Sequence, residues 1–150
     1  MINRFSHWVR WRDRNKLQGI RCPGVYAIAL SGNDISLTSF ACCNEIIYFG
    51  MTNSAGGLKS RLQQFDNTIN GKEGHGGAMR VRFKYRNYRS LVSRLFVSVS
   101  HIECDVLSGK PSDIRLMGEV ARQEYECLAL FVETFGRSPE FNDKKKSRKK

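Results

Sequence analysis

Three side chains that lie far apart in the chain, Tyr48, Arg61 and Glu124, have the types and settings for proton and anion chemistry. Tyr48 sits near the end of the apolar run EIIYFG (45–50). The small-residue turn NSAGG follows, and Arg61 then falls in the first turns of a segment with helical spacing. A guanidinium is a planar fork that grips anionic oxygens bidentately and stays charged at any useful pH. A phenol of ordinary pKa, about 10, is a poor base unless adjacent positive charge favours its phenolate. Glu124 interrupts an otherwise apolar helical stripe, where a carboxylate costs free energy unless something pairs with it.

The elements that must position these groups follow from punctuation and period. VYAIAL (25–30) and EIIYFG are short, apolar and bounded by turn residues, which predicts two buried strands joined as an antiparallel hairpin through SGNDISLTSFACCN. Leu58, Leu62, Phe65 and Ile69 recur at helical spacing, with Arg61 one residue off that line. NGKEGHGGA (70–78) reads as a glycine-rich loop. RVRFKYRNYRS (80–90) is strongly basic and of no definite type, and RLFVSVSHI alternates like a third strand. Met117, Val120, Ala121, Cys127, Leu128, Phe131 and Phe135 predict a long helix, N-capped by Ser112 or Asp113 and stopped at Gly136. Phe5, Trp8 and Val9 suit one face of a short N-terminal helix.

These elements predict an α/β protein of the α+β kind, with a small mixed or antiparallel three-stranded sheet flanked by helices. Its 150 residues suit one domain. That domain is expected over 1–142, with 1–22 a helical extension and 143–150 a basic flexible tail.

Charge narrows the partners. The chain has 25 Lys and Arg against 14 Asp and Glu; the last eight residues, DKKKSRKK, hold six of the cations and one acid, leaving 19 against 13, or +6, in the body. A basic body favours polyanions, nucleic acid first among them. Five cysteines with no CxxC pair fit neither a disulfide framework nor a zinc ribbon. No long apolar run or signal-peptide pattern is evident, so a cytoplasmic protein with no membrane partner is expected.

The ordered set GVY (24–26), YFG (48–50), Arg61, a helix carboxylate and PEFN (139–142) resembles the GIY-YIG nuclease family over roughly residues 23–142. The resemblance implies a metal-dependent DNA endonuclease that hydrolyses phosphodiester bonds with Mg²⁺ or Mn²⁺. It implies catalytic roles for Tyr48 as general base, Arg61 on the phosphate, Glu124 on the metal and Asn142 as a positioning group. Tyr26 is either a base or positioning residue or a packed core tyrosine. Glu126 is the alternative metal ligand, although helix phasing favours Glu124, with apolar Cys127 and Leu128 following at three and four positions. His75, in EGHGGA, resembles the histidine of the restriction-enzyme-like branch; the other reading is an incidental loop histidine.

Lys59, Arg80, Arg82, Lys84 and Arg86 are expected to contact phosphates without reading sequence. One departure stands out: Met51 follows the second motif's glycine, where many relatives carry lysine. The alternative function is therefore a catalytically inactive nucleic-acid-binding module on the same scaffold, and a third is a small RNA-associated protein. No second recognition domain is evident, so a partner protein could supply targeting.

Overall fold

The computed structural model describes residues 4–145 and Lys149. Four strands, β1 (Val9–Arg10), β2 (Gly24–Leu30), β3 (Ile46–Thr52) and β4 (Leu95–His101), form one antiparallel sheet in the order β1-β4-β2-β3. The protein is thus α+β as expected, with four strands rather than three. β2 is central and pairs along its length with both β3 and β4. Its near-continuous burial explains why GVYAIAL carries no charged residue.

Alternation along the strands divides the core between two faces. Tyr26, Ile28, Val97 and Val99 point to one face, covered by α1 (Gly57–Ile69), α2 (Gly76–Lys84) and α3 (Tyr88–Val92). Val25, Ala27, Ala29, Phe49 and Phe96 point to the other, covered by Val120, Cys127 and Phe131 of α4 (Pro111–Phe135). In α1, Leu58, Leu62, Phe65 and Ile69 are all buried, as their spacing predicts.

The N-terminal segment departs from the expected helix. Ser6 and Trp8 donate backbone hydrogen bonds to Val99 and Thr38, and β1 pairs with β4 before a 3-10 turn over Trp11–Lys16. The aromatic side chains then divide between the faces, Phe5 and Trp8 going to the α4 side and Trp11 to the α1 side. Strand pairing satisfies more of this short segment's backbone than one isolated helical turn would. Trp11, Leu17 and Ile20 are buried in the main core.

Two further expectations change. The presumed loop 70–78 already contains the start of α2, and the basic stretch forms the rest of α2 and then α3. Helix α4 begins at Pro111 with Lys110 at its N-cap position, so neither Ser112 nor Asp113 caps it. Asp113 instead accepts hydrogen bonds from the Asp105 amide and the Ser108 hydroxyl, fastening the preceding turn. The helix ends at Gly136, which takes the left-handed φ of 70°. Of the thiols, Cys127 is buried and Cys22, Cys42, Cys43 and Cys104 are half-buried, all unpaired. Among the described residues no helix is long and apolar enough to cross a membrane. Residues 146–148 and 150 of the expected tail lie outside the described residues.

Candidate active site

Tyr26 stands in the middle of β2, fully buried, directly opposite Gly50 of β3. Its ring lies over that glycine: a Cβ at position 50 would collide with the Tyr26 Cζ and hydroxyl. The glycine of YFG is therefore the seat of the other motif's tyrosine. Between Ile28 and Ala29 the β2–β3 register shifts, and Ile47 and Tyr48 both lean toward the α1 face. A bulge of this kind re-aims a side chain out of strict alternation. Tyr48 is half-buried, its ring centroid 6.1 Å from that of Tyr26. It packs on Gly77, where a Cβ would come within 2.6 Å of the Tyr48 ring.

His75 closes the cluster. It is fully buried, with ring centroids 5.8 Å from Tyr48 and 5.0 Å from Phe65. As the N-cap of α2, its Nδ1 accepts the Ala78 amide at 3.2 Å, and its Nε2 lies 2.8 Å from the Tyr26 hydroxyl. An accepting Nδ1 carries no proton, so the neutral ring bears its proton on Nε2 and donates it to Tyr26. Burial, reinforced by Arg61 and Arg80, depresses the His75 pKa to about 3. The residue is thus a buried helix cap and partner of Tyr26 rather than an incidental loop histidine.

Charge reaches this cluster from three elements. Arg61 on α1 is half-exposed, with Nη1 donating to Gln64 at 2.8 Å, and its charge acts on Tyr26, Tyr48, His75 and Glu124. Glu124 is half-buried on α4, and its carboxyl pKa is raised by burial, with Arg61 pulling it back. Glu126 is exposed, and its charge acts on Arg122 and Cys127. Burial also raises both tyrosine pKa values; at Tyr48 it is countered first by Arg80 and then by Arg61, with Glu124 adding to the rise.

Arg80 is a correction to the expected surface phosphate contacts. Only 4% exposed, it lies on the inner side of α2, with Nε donating to the Phe141 carbonyl at 2.9 Å. It acts on the tyrosine cluster from within and is a site residue that sequence reasoning misplaced. Its signal was phase: Ala78 and Val81 flank it on the buried side of α2. Arg82, Lys84 and Arg86 are exposed, as phosphate contacts must be, although Lys84 also pairs with Glu140 at 2.6 Å. Lys59 is half-buried in the first turn of α1.

Asn142 bonds to the β3 backbone and to none of Tyr26, Tyr48 or His75 among the contacts described. Its Oδ1 accepts the Phe49 amide and its Nδ2 donates to the Phe49 carbonyl, both at 2.9 Å. This two-pronged bond imitates a neighbouring strand along the open edge of β3. It holds the residue next to Tyr48. Met51 packs toward the α4 core and brings no amine to the site.

Among the described residues no three His, Cys, Asp or Glu side chains converge to form a metal cage. One half-buried carboxylate fits Mg²⁺, which keeps several waters and shares phosphate oxygens with its substrate. No family model, curated protein or solved structure matches the chain.

Proposed function

We propose that the protein is a metal-dependent DNA endonuclease of the GIY-YIG type. The observation that carries the reading is convergence: β2, β3, α1, the cap of α2 and α4 bring Tyr26, Tyr48, Arg61, His75 and Glu124 together. Glycines at 50 and 77 leave room for the two rings. Packing alone would not require a guanidinium, a carboxylate and two phenols at one place.

In this reading Arg61 grips non-bridging phosphate oxygens. Tyr48, the more accessible of the two phenols, acts as the phenolate that takes a proton from the attacking water as the new P–O bond forms and the ester P–O bond breaks. Tyr26 and His75 hold the cluster's geometry and stay out of proton transfer. Glu124 would hold the metal, which when bound neutralises charge on the phosphoryl and leaving oxygens. Because Tyr48 must ionise from a raised pKa, cleavage is expected to climb as pH rises through the alkaline range.

The test is nicking of supercoiled DNA with Mg²⁺ or Mn²⁺ against an EDTA control. Metal-dependent nicking that Glu124→Ala removes and Glu126→Ala spares is the expected result. Wild-type nicking by Glu124→Ala would overturn the assignment of the carboxylate. A second reading, a binding module without turnover, draws on Met51 and on the complete burial of Tyr26. It predicts salt-dependent DNA binding with no cleavage under any metal.

A further inference from the structure

Where the 3-10 turn Trp11–Lys16 meets α3, Arg10, Arg12, Tyr88, Arg89, Val92 and Ser93 line a cleft of about 300 Å³. Three of these side chains are guanidiniums and none is a carboxylate. Cations gathered in one hollow repel one another, and a bound anion relieves that repulsion.

A single acid fixes both walls of the cleft. Trp11 Nε1 and the Tyr88 hydroxyl each donate to Asp66 Oδ1 at 2.8 Å, which ties the turn and α3 to α1. Arg12 and Arg89 are therefore carried on two elements whose relative position is set from beneath. The neighbouring acids are committed elsewhere: Asp66 to these donors and to Arg14, Asp34 to Arg10 at 2.7 Å, and Asp13 to Lys16 at 3.3 Å. Arg12 and Arg89 are exposed, and among the described residues neither side chain has a hydrogen bond or ion pair.

We infer that this cleft is a phosphate anchor for a nucleic-acid backbone, separate from exposed Arg82 and Arg86. Charge and shape select the group bound, since two planar guanidinium forks suit the oxygens of a phosphate. Position selects a polymer over a small anion. Trp11, α1, α2 and α3 cover one face of the sheet, so the cleft shares a layer with Arg82, Arg86 and the Tyr48 cluster. A polyanion laid across that layer meets both basic groups, whereas a free phosphate meets one. Such contacts position the backbone and read no sequence. The inference rests on the nucleic-acid part of the proposed function and not on cleavage.

Anisotropy of a fluorescein-labelled DNA duplex, titrated with the full chain in EDTA at several salt concentrations, tests the anchor. Arg12→Ala with Arg89→Ala should leave circular dichroism unchanged, weaken binding about tenfold near 0.1 M salt, and lower the slope of log K against log salt by about 2. Arg115→Glu, which removes the same two units of charge at an exposed position on α4, should leave the slope unchanged. Wild-type binding that the double variant leaves intact would overturn the anchor while the nuclease reading stands. An equal loss in Arg115→Glu would also overturn it, by making the effect one of net charge. A wild-type chain with no salt-dependent affinity for DNA would overturn both. Loss of binding to phosphatidylserine vesicles with DNA binding retained would make the occupant a membrane surface and overturn the anchor as well.

Discussion

The two faces of one sheet have been put to different use. On the α1 face, polar and charged side chains are drawn into the core: His75 and Arg80 are buried, and Tyr26 is sealed beneath them. On the α4 face the interior is almost wholly apolar, its main polar contact being Gln123 donating to Ser100 at 2.6 Å. On the outer side of α4, Ile114, Tyr125 and Val132 are exposed. Burying charge is costly unless it is held, and proteins accept that cost where chemistry needs it.

Substitutions can test this division, beginning with the largest expected effect. Tyr48→Phe keeps the ring and deletes the hydroxyl; it should lower single-turnover DNA cleavage by about 10²–10⁴-fold, within the range for loss of a general base. Cleavage at the wild-type rate would make Tyr48 a packing residue and erase the functional difference between the faces.

His75→Ala should come next, destabilising the fold by about 2–3 kcal/mol through loss of a buried hydrogen bond and a helix cap. The pH dependence has a definite sign. The His75 pKa is depressed in the folded state, about 3 against 6.5, so its contribution is complete above pH 6.5 and is lost as pH falls toward 3. Wild-type urea stability should fall across that window by up to about 1.4 kcal/mol per pH unit from this one proton. Chemical denaturation of His75→Ala from pH 7 to 4 should show a shallower fall; an equal slope would mean that the histidine is protonated in the folded state.

Smaller still is the effect of the exposed cations. Arg82→Ala with Arg86→Ala should weaken DNA binding several-fold and lower the slope of log K against log salt by about 2, without changing cleavage at saturating DNA. Arg80→Ala should behave differently, disturbing the site and the Phe141 contact more than the salt slope. Titrations at several salt concentrations separate the two. Matching slopes for both variants would mean that Arg80 reaches phosphate after all.

Part of the candidate site could be read from the chain because local pattern marks it. Tyr48 and Arg61 flank a turn of small residues, and Glu124 breaks an apolar stripe; both features survive translation into period and punctuation. The burial of His75 and Arg80 could not be read the same way. Both lie where glycine and basic residues mask helical periodicity, and their burial depends on Tyr26, Thr68 and Phe141, distant in sequence. Strand β1 escaped for a related reason: its partner, β4, is almost ninety residues away, while the local 5, 8, 9 spacing imitates a helix turn.

The central claim is that Tyr48, Arg61 and Glu124 form a phosphodiester cleavage centre, and Arg61 probes it most directly, being half-exposed and bonded within the described residues to Gln64. Arg61→Ala should retain the wild-type circular dichroism spectrum and melting temperature. Measured under single-turnover conditions with Mg²⁺ at saturating duplex DNA, its cleavage rate should fall at least about 10²-fold, the scale of losing one donor to developing charge. Metal-dependent cleavage at the wild-type rate by this variant would contradict the account.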